Sequence, residues 1–152
     1  MIAKNCDGLV PKRGTLAEVD TQLISQTDAA LDTARRVMGE QAIHQAIAAV
    51  FGVVAEANRY FAGQEPWALK KTDPVRMESV LWTTAETIRR IAILCQPFIP
   101  GSAAKLLDLL AVPADERDFT HVGEGSALTS GTKLPPPQPV FPRYVEEEAA
   151  KA

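Results

Sequence analysis

The sequence predicts an all-α protein, an antiparallel helix bundle followed by an extended, proline-rich tail, and three observations carry that prediction. Apolar residues recur near a 3.6-residue period through three long runs. The alternating pattern of half-buried strands is almost absent. After residue 113 the composition turns to Gly, Ser, Pro and charge, which suits neither a helix nor a core. At 152 residues, 46% hydrophobic and 23% charged, the chain suits one domain with a real core. The bundle is assigned to residues 1–113 and the tail to residues 114–152, docking on the bundle or on a neighbouring catalytic domain.

The first long helix is expected over "TLAEVDTQLISQTDAALDTARRVMGE". Thr15 and Glu18 have capping-box spacing, and Leu16, Val19, Leu23, Leu31, Ala34 and Met38 follow on one stripe. The second covers "AIHQAIAAVFGVVAEANRYF", with Ile43, Ile47, Val50, Val54 and Phe61 as its stripe and Gly63 placed for a C-cap. The third starts at Asp73, an N-cap with Pro74 in the first helical position. It carries Met77, Leu81, Ile88, Ile91 and Cys95 until Pro97 and Pro100 stop it. Trp82 lies beside that stripe and reads as a packing residue. A shorter fourth helix, "GSAAKLLDLLAV", ends at Pro113. "LPPPQPVFPRY" has too much proline for helix. It reads either as a disordered linker or as an extended tail anchored by Val140, Phe141 and Tyr144, which are expected to be partly buried.

Several function classes are disfavoured. A net charge of −3 is not that of a protein coating nucleic acid nonspecifically. Cys6 and Cys95 are far apart and lack C-x-x-C spacing, which suits free thiols in a reducing compartment. The apolar runs are broken short of the ~18 residues of a membrane span, and "MIAKNCDG" lacks the apolar core of a signal peptide. A cytoplasmic protein with no membrane partner is expected. "GEGSALTSGTK" is not a phosphate loop: five residues separate Gly125 from Gly131 and Thr132 precedes Lys133. His44 and His121 are not paired at ligand spacing with either cysteine, so no metal is expected, and His44 reads as a helix-surface residue. Neither a cofactor site nor a catalytic residue is expected.

One stretch carries more chemistry, "ANRYFAGQEPWALKKTDP". Its residues 63–74 read as breaking helix on both sides and presenting Trp67 after Pro66, with Lys70 and Lys71 close behind. Single-stranded RNA is read by stacking bases on aromatic rings while Lys or Arg contacts phosphates. The alternative is a tryptophan plugging a gap between helix ends. Residues 58–90 hold Arg59, Lys70, Lys71, Arg76, Arg89 and Arg90 against Glu65, Asp73, Glu78 and Glu86. This net positive window reads first as solvated helix faces.

The same stretch, with "CQPFIPGSAAKLLDLL" and "VFPRY" further on, resembles the anticodon-binding domain of bacterial methionyl-tRNA synthetases, from "NCDGLVP" to "FPRY". The resemblance implies a class I synthetase helix bundle that binds the CAU anticodon loop of methionine tRNA beside a catalytic domain. Trp67 would stack on an unstacked anticodon base, with Pro66, Asn58, Arg59, Lys70 and Lys71 completing the RNA-binding set. In the family an asparagine and an arginine one turn apart, on the helix just before the "NCDG"-like turn, also contact the anticodon; the given sequence begins inside the end of that helix and does not include those two positions. No ATP-binding motif of the family is present, so the isolated chain is not expected to activate methionine. The chain is either a fragment of a synthetase or a free-standing relative. In the second case it could serve as an adaptor, binding a protein partner on an exposed first-helix seam of Leu16, Val19 and Leu23.

Overall fold

Helix α5 (Pro74–Cys95) is the axis of the molecule, and the other long elements pack around it. The computed structural model describes residues 1–142 and is all-α, with no strand among the described residues. In chain order the remaining helices are α1 (Ile2–Asn5), α2 (Glu18–Gly39), α3 (Ile43–Gln64), α4 (Pro66–Thr72) and α6 (Pro100–Leu109). Three 3-10 turns follow, Ala114–Glu116, Phe119–His121 and Glu124–Ser126. α2 and α3 pack against each other, both lean on α5, and α6 and α4 cover α5 at its two ends.

The start of α5 is the one expected from sequence. Asp73 Oδ1 accepts from the Arg76 amide at 2.9 Å, and Pro74 occupies the first turn, where its missing N–H is no loss. Met77, Val80, Leu81, Trp82, Ala85, Ile91, Ala92, Ile93, Leu94 and Cys95 are all buried, so this helix is apolar on more than one face, as a central helix must be. Trp82 is a packing residue. Its indole Nε1 donates to the Leu128 carbonyl at 3.0 Å and the Arg13 guanidinium lies 5.0 Å above its ring.

α2 begins later than expected. Ala17, not Thr15, is its N-cap, and the Asp20 carboxylate accepts from the Ala17 amide at 2.8 Å. Its inward stripe is Asp20, Leu23, Thr27, Ala30, Leu31 and Val37, while Val19 and Met38 are largely exposed. A stripe containing an aspartate and a threonine is invisible to a search for apolar periodicity. The expected exposed seam is also absent as drawn, because Leu23 is buried and Leu16 half-buried, leaving Val19. α3 buries Ala46, Val50 and Val53, whereas Ile43 is exposed. His44 is exposed on its surface.

The arginines of α5 overturn the reading of that charge window as solvated faces. Glu86, Arg89 and Arg90 are buried. Glu86 accepts from Arg89 Nε (2.9 Å) and Nη2 (2.7 Å), from Arg90 Nε (2.7 Å) and from the Leu128 amide (3.0 Å). Arg89 also donates to the carbonyls of His121 (2.6 Å) and Val122 (3.0 Å), and Arg90 reaches Asp28 at 3.0 Å. A buried charge is tolerated only when paired and hydrogen-bonded in this way.

The same network fastens the chain beyond residue 113 to α5. Further on, the Val10 amide donates to Thr132 O, the Gly131 amide to Val10 O and the Leu134 amide to Gly8 O, each at 2.8 Å. Gly131 has φ 86°, a conformation favouring glycine, where the chain turns into this pairing. The expected anchors behave differently: Val140 is half-buried, Phe141 is 70% exposed, and Tyr144 lies outside the described residues. An apolar groove of about 730 Å³ runs past Phe51, Val54, Phe61, Ile88 and Leu106 to Pro135 and Pro137. Burial pushes the thiols of Cys6 and Cys95 above their ordinary pKa, and both are free. No described helix is long and apolar enough to cross a membrane.

Candidate nucleic-acid interface

The segment expected to be irregular around Trp67 is a helix. Pro66 is the first residue of α4, where a proline starts a helix rather than breaking one. The break lies one residue earlier. Glu65 ends α3 and begins α4 in the left-handed region (φ 45°, ψ 56°), a conformation disfavoured for a residue with a Cβ. Gly63, expected as the cap, sits inside α3. The chain thus turns sharply at Glu65 and presents a two-turn helix across the corner between α3 and α5.

α4 carries four of the sequence-predicted residues, Pro66, Trp67, Lys70 and Lys71. Trp67 is 50% exposed, and its indole meets the Phe61 ring edge-on, with centroids 6.0 Å apart and planes at 62°. Lys70 and Lys71 are exposed and lie three and four residues on, which places them on the side of α4 that carries Trp67. They have no ion-pair partner among the described residues. Elsewhere in the positive window the charge is neutralised: Arg59 pairs with Glu56, Arg76 with Asp20, and Arg89 and Arg90 with Glu86. The two lysines are therefore the local positive field.

Asn58 and Arg59 stand on the preceding helix and are exposed, Asn58 at the border of the apolar groove and one turn before Phe61. Pro66 is buried at the start of α4, directly before Trp67. Phe61, expected as a core residue of α3, supports the indole instead; the signal was its position six residues before Trp67, across a corner that only the structure reveals.

A polar cluster that the sequence did not suggest lies behind this surface. Asp20 is fully buried on α2. Arg76 donates to both its carboxylate oxygens, Nη1 to Oδ2 at 2.5 Å and Nη2 to Oδ1 at 2.8 Å, and the Tyr60 hydroxyl donates to Oδ1 at 2.7 Å. Arg76 Nη2 also donates to Gln64 Oε1 at 2.7 Å. Burial pushes the Asp20 carboxyl upward, but hydrogen bonds from Arg76, Tyr60 and the Ala17 amide outweigh it and hold the group below the usual carboxylate range. Burial, then the bond to Asp20, pushes the Tyr60 phenol well above its ordinary value. The bond to Asp20 likewise raises Arg76, so the pair stays charged. Among the described residues no group of three or more His, Cys, Asp and Glu side chains stands where it could hold a metal ion.

Residues 10–152 match the family described as the anticodon binding domain of methionyl tRNA ligase. The chain is 68% identical over 152 residues to the methionine–tRNA ligase of Mesorhizobium japonicum, covering all of this chain and 30% of that protein. It is 43% identical over 148 residues to the enzyme of Mycobacterium tuberculosis, covering 95% of this chain and 28% of the other. Among solved structures, the apo form of the M. tuberculosis methionyl-tRNA synthetase superposes with a TM-score of 0.90 at 42% identity, over 97% of this chain and 30% of that one. The same enzyme with methionyl-adenylate gives 0.89, over 94% and 28%. The chain thus spans about 30% of the length of these relatives. Matched along nearly its whole length by the family and by one region of these enzymes, the chain belongs to the anticodon-binding domains of the methionyl-tRNA ligases.

Proposed function

We propose that this domain recognises the CAU anticodon of methionine tRNA in the cytoplasm, as the anticodon-binding part of a methionyl-tRNA synthetase, and so supports methionyl-tRNA formation by a catalytic domain. The observation that carries the reading is Trp67: an indole half-exposed on a short helix, braced on one edge by Phe61, with Lys70 and Lys71 on its side of that helix. A flat apolar ring held in place is a stacking platform for an unstacked base, and ammonium groups beside it that have no ion-pair partner among the described residues suit the phosphates of a loop. Asn58 offers a donor and an acceptor for a base edge, and Arg59, paired with Glu56, an exposed guanidinium on the α3 side. Pro66 starts the helix that carries the indole. In this reading residues 1–113 form the recognition bundle and residues 114–152 the tail that docks on it or on the catalytic domain.

The test is binding of a CAU anticodon stem-loop, followed by fluorescence anisotropy. Trp67→Ala is expected to weaken binding by about 1 to 3 kcal/mol, the worth of one base–aromatic stack. The melting temperature should barely move, because half of the indole is already in water. Affinity should also fall steeply with added salt, as phosphate contacts require. A loss of folding stability with stem-loop affinity intact would refute the platform, and salt-indifferent capture of a protein would favour an adaptor.

A further inference from the structure

We infer that Arg76, seated on buried Asp20, is a positioning residue for the Trp67 platform, because it holds both ends of α4 at once. This rests on the reading of Trp67 as a base-stacking surface. α4 has seven residues, too few to persist as a helix by themselves. It starts from a left-handed glutamate with no side-chain cap, so its placement must come from elsewhere. On the near side, the Arg76 guanidinium donates to Oε1 of Gln64, the last residue of α3, at 2.7 Å. On the far side, Asp73, the first residue after α4, accepts from the backbone amide of the same Arg76 at 2.9 Å. One residue thus closes the loop of chain from Gln64 to Asp73 on which Trp67, Lys70 and Lys71 are displayed.

Arg76 is itself fixed. Its fork sits on Asp20 through two bonds of 2.5 and 2.8 Å, and Tyr60, one turn before Gln64, donates to the same carboxylate. The planar guanidinium can meet Asp20 with both terminal nitrogens and still spare a proton for Gln64, which a lysine ammonium cannot do in that geometry. α2, the end of α3 and the start of α5 therefore converge on one buried carboxylate, and α4 inherits its orientation from that point.

Gln64 is the link that can be cut with least damage, since Arg76 Nη2 keeps Asp20 as an acceptor when it goes. In the full 152-residue chain, Gln64→Leu is expected to keep a cooperative melt close to that of the parent. Amide hydrogen exchange in residues 68–73 should accelerate by about two- to tenfold, the change in local opening that one net hydrogen bond controls, with α2 and the centre of α5 unaffected. CAU stem-loop affinity should weaken by a similar factor, and Gln64→Glu, which restores an acceptor, should return both towards parental values. Unchanged exchange across α4 overturns the clamp, whatever RNA does. Faster exchange with unchanged affinity, where Trp67→Ala does weaken binding, overturns its role in positioning. If Trp67→Ala leaves affinity unchanged, the stacking reading fails, and exchange alone then decides whether Arg76 holds α4.

Discussion

Glu86→Gln is the most informative single substitution for the fold. The change keeps size and shape but removes a charge at a fully buried site. The native carboxylate accepts four hydrogen bonds, two from Arg89, one from Arg90 and one from the Leu128 amide. A glutamine offers one oxygen for two of these donors and turns its own NH₂ towards the others. At about 1 to 3 kcal/mol for each buried donor left unsatisfied, and more where the donor is charged, the expected cost is about 3 to 5 kcal/mol. For a domain of this size that corresponds to a fall of about 10–15 °C in melting temperature. Thermal unfolding followed by circular dichroism measures it, with Glu40→Gln as control. Glu40 pairs with Arg36 on the exposed face of α2, and losing it should cost under about 0.5 kcal/mol. A Glu86→Gln melt within about 3 °C of the parent would show that the site admits water or relaxes, and the account of a dry, fully paired network would be wrong.

Three other outcomes follow from the same structure. Phe141→Ala should change stability by no more than about 0.5 kcal/mol, because the ring is largely in solvent, whereas deleting residues 120–152 should lower the melting temperature by about 10 °C or more by stranding Arg89, Glu86 and Trp82; equal effects in denaturation would contradict this. The folded pKa of Asp20 lies below its unfolded value of about 3.9, so its contribution is complete above that pH and is lost as pH falls through the folded pKa; the gap in melting temperature between parent and Asp20→Asn should narrow below about pH 4, and a gap constant with pH would count against it. Glu65→Gly should stabilise by about 0.5 to 1 kcal/mol by relieving a left-handed residue, visible as a higher urea midpoint, and a lower midpoint would mean the glutamate side chain contributes more than its strain costs.

The three long helices were legible because their buried positions are mostly apolar and because Asp73-Pro74 is a local signal with local geometry. What failed was anything decided by a partner distant in sequence. Asp20, Glu86, Arg89 and Arg90 are buried, yet a pattern search places charges on the outside; Asp20 turns inward on Arg76 of another helix, and the Glu86, Arg89 and Arg90 set, paired along α5, is completed by backbone groups of residues 121–128. Pro66 was read as a breaker because its effect depends on the turn it occupies, and Glu65 gives no sign in its side chain of adopting a positive φ. At the candidate interface, the polar neighbours of Trp67 allowed either a presented or a plugging indole, and the ring is half-exposed. Phe61 and the Asp20–Arg76–Gln64 cluster were not legible, since the corner that assembles them is set by packing. The hold on residues 128–134 is largely through backbone groups, which every residue possesses and no composition reveals.

The order in which Glu86 acquires its partners matters during synthesis. Arg89 and Arg90 lie three and four residues after it on α5, so this glutamate and both arginines can pair within one helix as soon as that helix forms. The carbonyls of His121 and Val122 and the amide of Leu128 arrive 32 to 42 residues later. A chain made from its N-terminus thus shields these charges locally before the segment that buries them has been made. Glu86, Arg89 and Arg90 therefore need not enter the core as unpaired ions.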